Sequence, residues 1–175
     1  MVWVAALIAA STSGTAAAQD KLKLLCTANQ EWCQVMAADF QRKTGVQIAF
    51  TRKGTGEAYA QLKAEADNPK VDLWWGGTGD PHLQAAEEKL TMKIDSPMLA
   101  QLQPWAQEQH RRAGGRTVGI YLGVIGLVYN QEVLAKKGIK PPACWADLLR
   151  PEYKGEIQMA NPNSSGTACT SLATW

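Results

Sequence analysis

Three times between residues 21 and 90, a short apolar run gives way to a small polar loop and then to a helical pattern. This alternation constrains the fold more than any other feature of the chain. Parallel strands need a long, usually helical crossover, whereas antiparallel strands can be joined by a tight turn. The first strand is expected over residues 21–26, with Asn29 capping a helix over 30–44 that stops at Gly45. Trp32, Val35, Met36 and Phe40 mark that helix's inward face. A second strand over 46–50 leads to a helix over 57–67, with Ala58, Leu62 and Ala66 inward. A third strand over 71–75, buried except at Asp72, runs into Gly76-Gly77-Thr78-Gly79. Asp80 is expected to cap the next helix, with Pro81 at its first position, where a missing N–H costs nothing. The fold class is α/β.

The pattern changes after Leu90. Pro97 and Pro104 punctuate two short helical pieces that end at Gly114-Gly115. Residues 117–130 then form a long apolar run interrupted by Gly119, Gly123 and Gly126. It is too long for an ordinary strand and too broken for a helix, so a strand bending as it passes between two domains is expected. Helices over 131–137 and 145–149 follow, then a strand over 156–160, the loop 161–167, and a further helix.

Composition narrows the function classes. Eighteen Lys/Arg against sixteen Asp/Glu give a net charge of +2, and no basic cluster exceeds a pair such as Arg111-Arg112. That leaves no electrostatic footprint for nucleic acid. Residues 1–19 carry no charge and pass from an apolar run at 2–10 to Ala16-Ala17-Ala18-Gln19, the pattern of a cleaved export signal. Nine apolar residues are too few to span a bilayer, which takes about 20. Export places four cysteines in an oxidising compartment, where an even count implies disulfides. A Cys26–Cys33 bridge is expected because one cysteine ends a strand and the other opens the next helix, leaving Cys144–Cys169 as the second pair.

The chemistry is expected in the loops that follow the strands. Thr27-Ala28-Asn29, Gly54-Thr55-Gly56, Gly76-Gly77-Thr78-Gly79 and Ser164-Ser165-Gly166-Thr167 each precede a helix. Ligands of open α/β sheets sit beyond the strands' carboxyl ends, where helix N-termini offer unpaired N–H donors and partial positive charge. Four such loops would cradle an anionic or strongly polar small molecule. Each is also, by itself, an ordinary cap and turn. Glu57 supports its helix's first turn or, alternatively, ligates a metal or an ammonium group. Of Trp74 and Trp75, one enters the core while the other is free to stack on a ligand, and His82 is expected in solvent. No G-x-S-x-G elbow, dinucleotide fingerprint or Walker A sequence is present.

Several stretches carry a resemblance. Phe40 to Val46, Val71 to Gly77, Gly126 to Asn130, Trp145 to Leu149, Tyr153 to Gly155 and Asn161 to Thr167 are similar, in order, to bacterial extracellular solute-binding proteins of family 1. That group holds the ferric-iron, thiamine, 2-aminoethylphosphonate and sugar-phosphate binders of ABC importers. The resemblance implies a type II periplasmic-binding fold, a two-lobed hinged clamp that delivers its solute to an inner-membrane permease. It implies no cofactor and no catalysis. Members are nearly twice as long, so this chain is expected to be truncated: lobe one over 20–118, a crossing strand over 119–130, and the start of lobe two over 131–175. The ligand-binding set is then Thr27, Asn29, Thr55, Gly56, Glu57, Thr78, Ser165, Gly166 and Thr167. The hydroxyls and backbone donors of this set suit a phosphate, phosphonate or carboxylate. Ferric iron ranks second, with Glu57 its one ligand from lobe one, and thiamine third. A secreted hydrolase using Ser164 or Ser165 is the alternative outside the family.

Overall fold

The computed structural model describes residues 21–174, so the expected export signal lies outside the described residues. Three parallel strands, β1 (Leu22–Cys26), β2 (Ile48–Arg52) and β3 (Leu73–Trp75), form a sheet in the order β2-β1-β3. Leu22 pairs with Ile48 and Cys26 with Arg52 on one side, and Leu24 pairs with Leu73 and Cys26 with Trp75 on the other. The crossovers are α1 (Gln30–Thr44) and α2 (Thr55–Ala64), and α3 (Gly79–Glu87) follows β3. Being central, β1 buries Leu24, Leu25 and Cys26 almost completely. Leu24, Cys26, Ala28 and Cys33 make the core cluster, against which Leu22, Met36, Ile48, Phe50 and Trp75 pack.

Helix α1 has the expected limits and ends at Gly45, whose left-handed backbone lets its N–H reach the Gln41 carbonyl at 2.8 Å. Its buried residues are Cys33 and Ala37, whereas Trp32, Val35 and Phe40 are exposed, against expectation. The reason is covalent: Cys33 is disulfide-bonded to Cys26 at the end of the central strand, which turns the small-residue side of the helix inward. Three other expectations need correction. Helix α2 starts at Thr55 and ends at Ala64, leaving Ala66 exposed; α3 is capped by Thr78 and not Asp80; and Leu73 on the short edge strand β3 is exposed. Cys144 and Cys169 are free and exposed, so the second disulfide is absent.

After α3, a 3-10 turn (Pro97–Gln101) leads to α4 (Pro104–Arg112). Residues 117–121 then follow outside any helix or ladder. Thr117 is buried, Gly119 lies against the Trp105 ring, and Tyr121 is half-buried, while Ile120 and Leu122 face out. That is the period of two of a strand, yet neither 119–130 nor 156–160 pairs into a ladder among the described residues. Helix α5 (Gln131–Lys137), 3-10 turns at Trp145–Leu149 and Pro151–Tyr153, and α6 (Gly166–Thr174) complete the order. Among the described residues, no helix is long and apolar enough to cross a membrane.

Candidate solute site at the strand ends

The strand order reverses direction about β1. The chain leaves β1 toward β2 and then crosses back to β3, so the switch point where open α/β sheets bind ligands lies between the ends of β1 and β3. Thr27 stands there. Its N–H donates to the Trp75 carbonyl at 2.9 Å, its hydroxyl donates to the Gly76 carbonyl, and the same oxygen accepts from Trp74 Nε1 at 3.0 Å. Thr27 is buried, and its one hydroxyl proton is already spent on the protein. Trp74 also stacks on His82, with ring centroids 3.8 Å apart, and His82 Nε2 donates to the Gly76 carbonyl at 2.8 Å. His82 is thus not in solvent: burial holds its pKa below the usual imidazole value, with the bond to Gly76 acting the other way.

Gly76 and Gly77 both adopt positive φ, +85° and +93°. A Cβ on Gly77 would approach Thr27 Oγ1 to 2.6 Å and Thr55 Oγ1 to 2.7 Å, so the turn needs glycine for space as well as for conformation. The fourth loop closes on the same place. The Gly56 N–H donates to the Ser164 carbonyl at 3.3 Å, and a Cβ on Gly54 would strike that carbonyl. A Cβ on Gly166 would strike Thr78 Oγ1 and come within 3.0 Å of Thr55 Oγ1. The first turns of α2 and α6 and the cap of α3 therefore meet, with the hydroxyls of Thr55 and Thr78 between them. Thr78 Oγ1 is buried and has no hydrogen-bond partner. Leaving a hydroxyl so placed costs about 1–3 kcal/mol unless something else pairs with it.

The expected residues divide into two sets. Thr27, Thr55, Gly56, Thr78 and Gly166 come together, while Asn29, Glu57 and Thr167 stay exposed around them. Ser165 is half-buried and its hydroxyl accepts from the Ala168 N–H at 3.3 Å, capping α6. Glu57 accepts from the Gly54 N–H at 2.9 Å, the reach-back of a helix's third residue onto its cap. Asn29 sits at the cap of α1 without a side-chain bond to the helix. No group of three His, Cys, Asp or Glu that could hold a metal ion occurs among the described residues. Cavities of about 440 Å³ lie beside Leu99 and Arg111 and between Leu127 and Met159, and neither is lined by the strand-end loops.

Sequence reasoning missed Tyr121. The Gly77 N–H donates to its hydroxyl at 2.6 Å, and that hydroxyl donates to the Gly77 carbonyl at 3.3 Å. Its ring stands edge-on to Trp32 and Trp75, with centroids 5.6 and 6.4 Å away. The one signal available was a phenol in an otherwise apolar run.

A helix-covered parallel sheet whose strand-end loops gather hydroxyls and helix N-termini is suited to holding a small polar solute. The family model described as "Bacterial extracellular solute-binding protein" matches residues 68–175. An uncharacterized protein of Haemophilus influenzae is 41% identical over 173 residues, covering 97% of this chain and 50% of its own length. Among solved structures, the periplasmic binding protein P5PA aligns with a TM-score of 0.83 at 41% identity, over 88% of this chain and 49% of that one. The periplasmic binding protein AfuA from Actinobacillus pleuropneumoniae, solved with exogenous fructose-6-phosphate bound, aligns at 0.81 and 41% over 87% and 48%. The chain belongs to the bacterial extracellular solute-binding protein family. It spans about half the length of the relatives it matches.

Proposed function

We propose that this chain supplies the lobe-one loops of the solute site, together with the 161–167 loop of lobe two, in the periplasmic binding component of an ABC importer, and that its solute carries a phosphate. The carrying observation is the buried, unpartnered Thr78 hydroxyl where the starts of α2, α3 and α6 meet. Three helix N-termini place partial positive charge there, and a hydroxyl without a partner is a donor in waiting. An oxyanion satisfies both. The phosphorylated sugar bound in AfuA, 41% identical to this chain, supports the same choice.

In this reading residues 20–118 form lobe one, 119–130 the hinge-crossing segment and 131–175 the start of lobe two. Thr55, Thr78, Ser165, Gly166 and Thr167 face the anion, and Gly56 lets the α6 loop approach. Thr27 is spent on the Gly76 carbonyl and the Trp74 indole, so its part is to shape the turn. Asn29 and Glu57 stand at the rim, where they meet the uncharged part of the solute. Closure of the second lobe excludes water and strengthens the same hydrogen bonds, and the closed form is what a permease would recognise. In this reading the protein acts as a receptor.

Isothermal titration of the full-length protein, purified free of ligand, tests the proposal. Fructose-6-phosphate, inorganic phosphate and 2-aminoethylphosphonate are compared with ferric citrate. Binding of a phosphorylated compound with no response to iron is expected. Tight iron binding without phosphate binding overturns the reading and moves the site to Glu57.

A further inference from the structure

We infer that Tyr121 is a positioning residue of the solute site, whose hydroxyl clasps both peptide groups of Gly77 and ties the turn after β3 to the segment 119–130. The inference rests on the phosphate reading above only for its effect on binding; the clasp itself stands on geometry.

Two consecutive residues with positive φ make Gly76-Gly77 a turn that neither a ladder nor a helix supports from within. Backbone polar groups in a half-buried turn need partners, and for Gly77 the partner comes from 44 residues away. A phenol has one donor and an acceptor oxygen, and Tyr121 uses both on one residue, accepting at 2.6 Å and donating at 3.3 Å. The residue after Gly77 is Thr78, the cap of α3 and the carrier of the unpartnered hydroxyl. Fixing the peptide between them fixes where that hydroxyl points. The Tyr121 ring is in turn held edge-on by Trp32 at the start of α1 and by Trp75 at the end of β3.

The position of Tyr121 along its own segment gives the clasp a second consequence. Thr117, Gly119 and Tyr121 are the inward residues of 117–121, and beyond them Leu122 and Val124 are exposed. Directly beyond Tyr121 the run is exposed over 122–124, and it is half-buried again at Ile125 and Leu127. The clasp therefore joins that exposed stretch to Gly77 through one side chain.

Tyr121→Phe tests this in the full-length protein, because it keeps the ring and its contacts with Trp32 and Trp75 while removing the hydroxyl. Hydrogen exchange of the Gly77 amide, read by NMR in the ligand-free protein, is expected to speed up at least tenfold, with exchange in β1 unchanged. Affinity for fructose-6-phosphate is expected to fall about tenfold, because the turn that carries Thr78 is then no longer held in place before the solute arrives. Unchanged exchange at Gly77 overturns the clasp. Faster exchange with equal or tighter binding overturns the positioning role, since the hydroxyl would then be competing with the solute for the Gly77 N–H. If the unmodified protein binds neither fructose-6-phosphate nor inorganic phosphate, the proposed function fails separately, and the exchange result still decides the clasp.

Discussion

Two stretches of this chain read alike as sequence and differ in what surrounds them. Strand β1 has a parallel neighbour on each side, and its Leu24, Leu25 and Cys26 are at most 2% exposed. The run 119–130 is at least as apolar, yet Val124 is 100% and Val128 98% exposed, and no ladder forms there among the described residues. Strand preference is a statement about fitting a pleated, half-covered surface. Where neighbours exist, an apolar run becomes a strand; where they do not, only the residues with individual anchors turn inward. Thr117, Gly119 and Tyr121 are such residues; beyond them Leu122, Val124 and Val128 are exposed, while Ile125 and Leu127 stay half-buried. The sheet is organised by a ladder and the second region by single contacts.

Glycine substitutions give the largest test of that difference. Gly77→Ala places a methyl group within 2.6 Å of Thr27 Oγ1 at a φ of +93°. Strain and crowding together are expected to destabilise the protein by about 3 kcal/mol. Gly123 has nothing within 4 Å of where its Cβ would stand. Gly123→Ala is expected to be neutral or to stabilise by up to about 1 kcal/mol through the unfolded chain. Urea unfolding midpoints of the two variants decide it. Equal losses would mean that 119–130 is packed as tightly as the strand-end turn, and the contrast would collapse.

The cysteines give the next largest effect. Cys26 and Cys33 are both fully buried and bridged across seven residues. Closing a loop that short restricts the unfolded chain by about 2–3 kcal/mol. The double variant Cys26→Ala, Cys33→Ala is expected to lose that much stability in chemical denaturation. Cys144 and Cys169 are exposed and free, so Cys144→Ser and Cys169→Ser should each fall within about 0.5 kcal/mol of the parent. A large loss at Cys144 or Cys169 would show that the second region is held covalently after all.

Thr78→Val separates stability from binding at the meeting of the loops. Valine has nearly the shape of threonine and removes a buried hydroxyl that has no partner in the protein. Stability of the ligand-free protein is expected to stay level or to rise by about 1 kcal/mol, because an unpaired polar group has been removed. Affinity for fructose-6-phosphate is expected to weaken by about 1–2 kcal/mol, the worth of a hydrogen bond to a charged oxygen. A variant that loses stability and keeps its affinity would mean that Thr78 Oγ1 serves the fold and not the solute.

What the sequence disclosed follows the same division. The limits of α1 were legible because Gly45 provides an unmistakable stop and the strands beside it are short and dense. Its inward face was misjudged because a helical period identifies faces without saying which one is covered. The large residues Trp32, Val35 and Phe40 suggested one face, and the bond from Cys33 to Cys26 selected another. Of the loop set, Thr27, Thr55, Gly56, Thr78 and Gly166 were legible as small residues at strand ends, since the rule for open sheets fixes where such loops gather. Tyr121 was not, because its value lies entirely in a partner 44 residues away that no local pattern reports. The same holds for His82, which reads as a first-turn surface residue and is covered by Trp74.

His82 supplies the smallest effect and the most local one. Its ring is stacked on Trp74 and bonded to the Gly76 carbonyl, and burial holds its pKa below the ordinary 6.5. The unfolded chain therefore takes up the proton first as pH falls. Between about 6.5 and the lowered folded value, the unfolded state binds more protons than the native one, so stability rises with pH across that window and levels off above it. The effect is expected to be small because one proton is involved and the bond to Gly76 opposes the shift. His82→Phe keeps the stacked ring and removes the titration, so denaturation curves at pH 5.5 and 7.5 should differ less for the variant than for the parent. Subtracting the two isolates the contribution of His82. Equal pH dependence in both proteins would place His82 in contact with solvent, and the strand-end turn would then be more open than the second region it has been contrasted with.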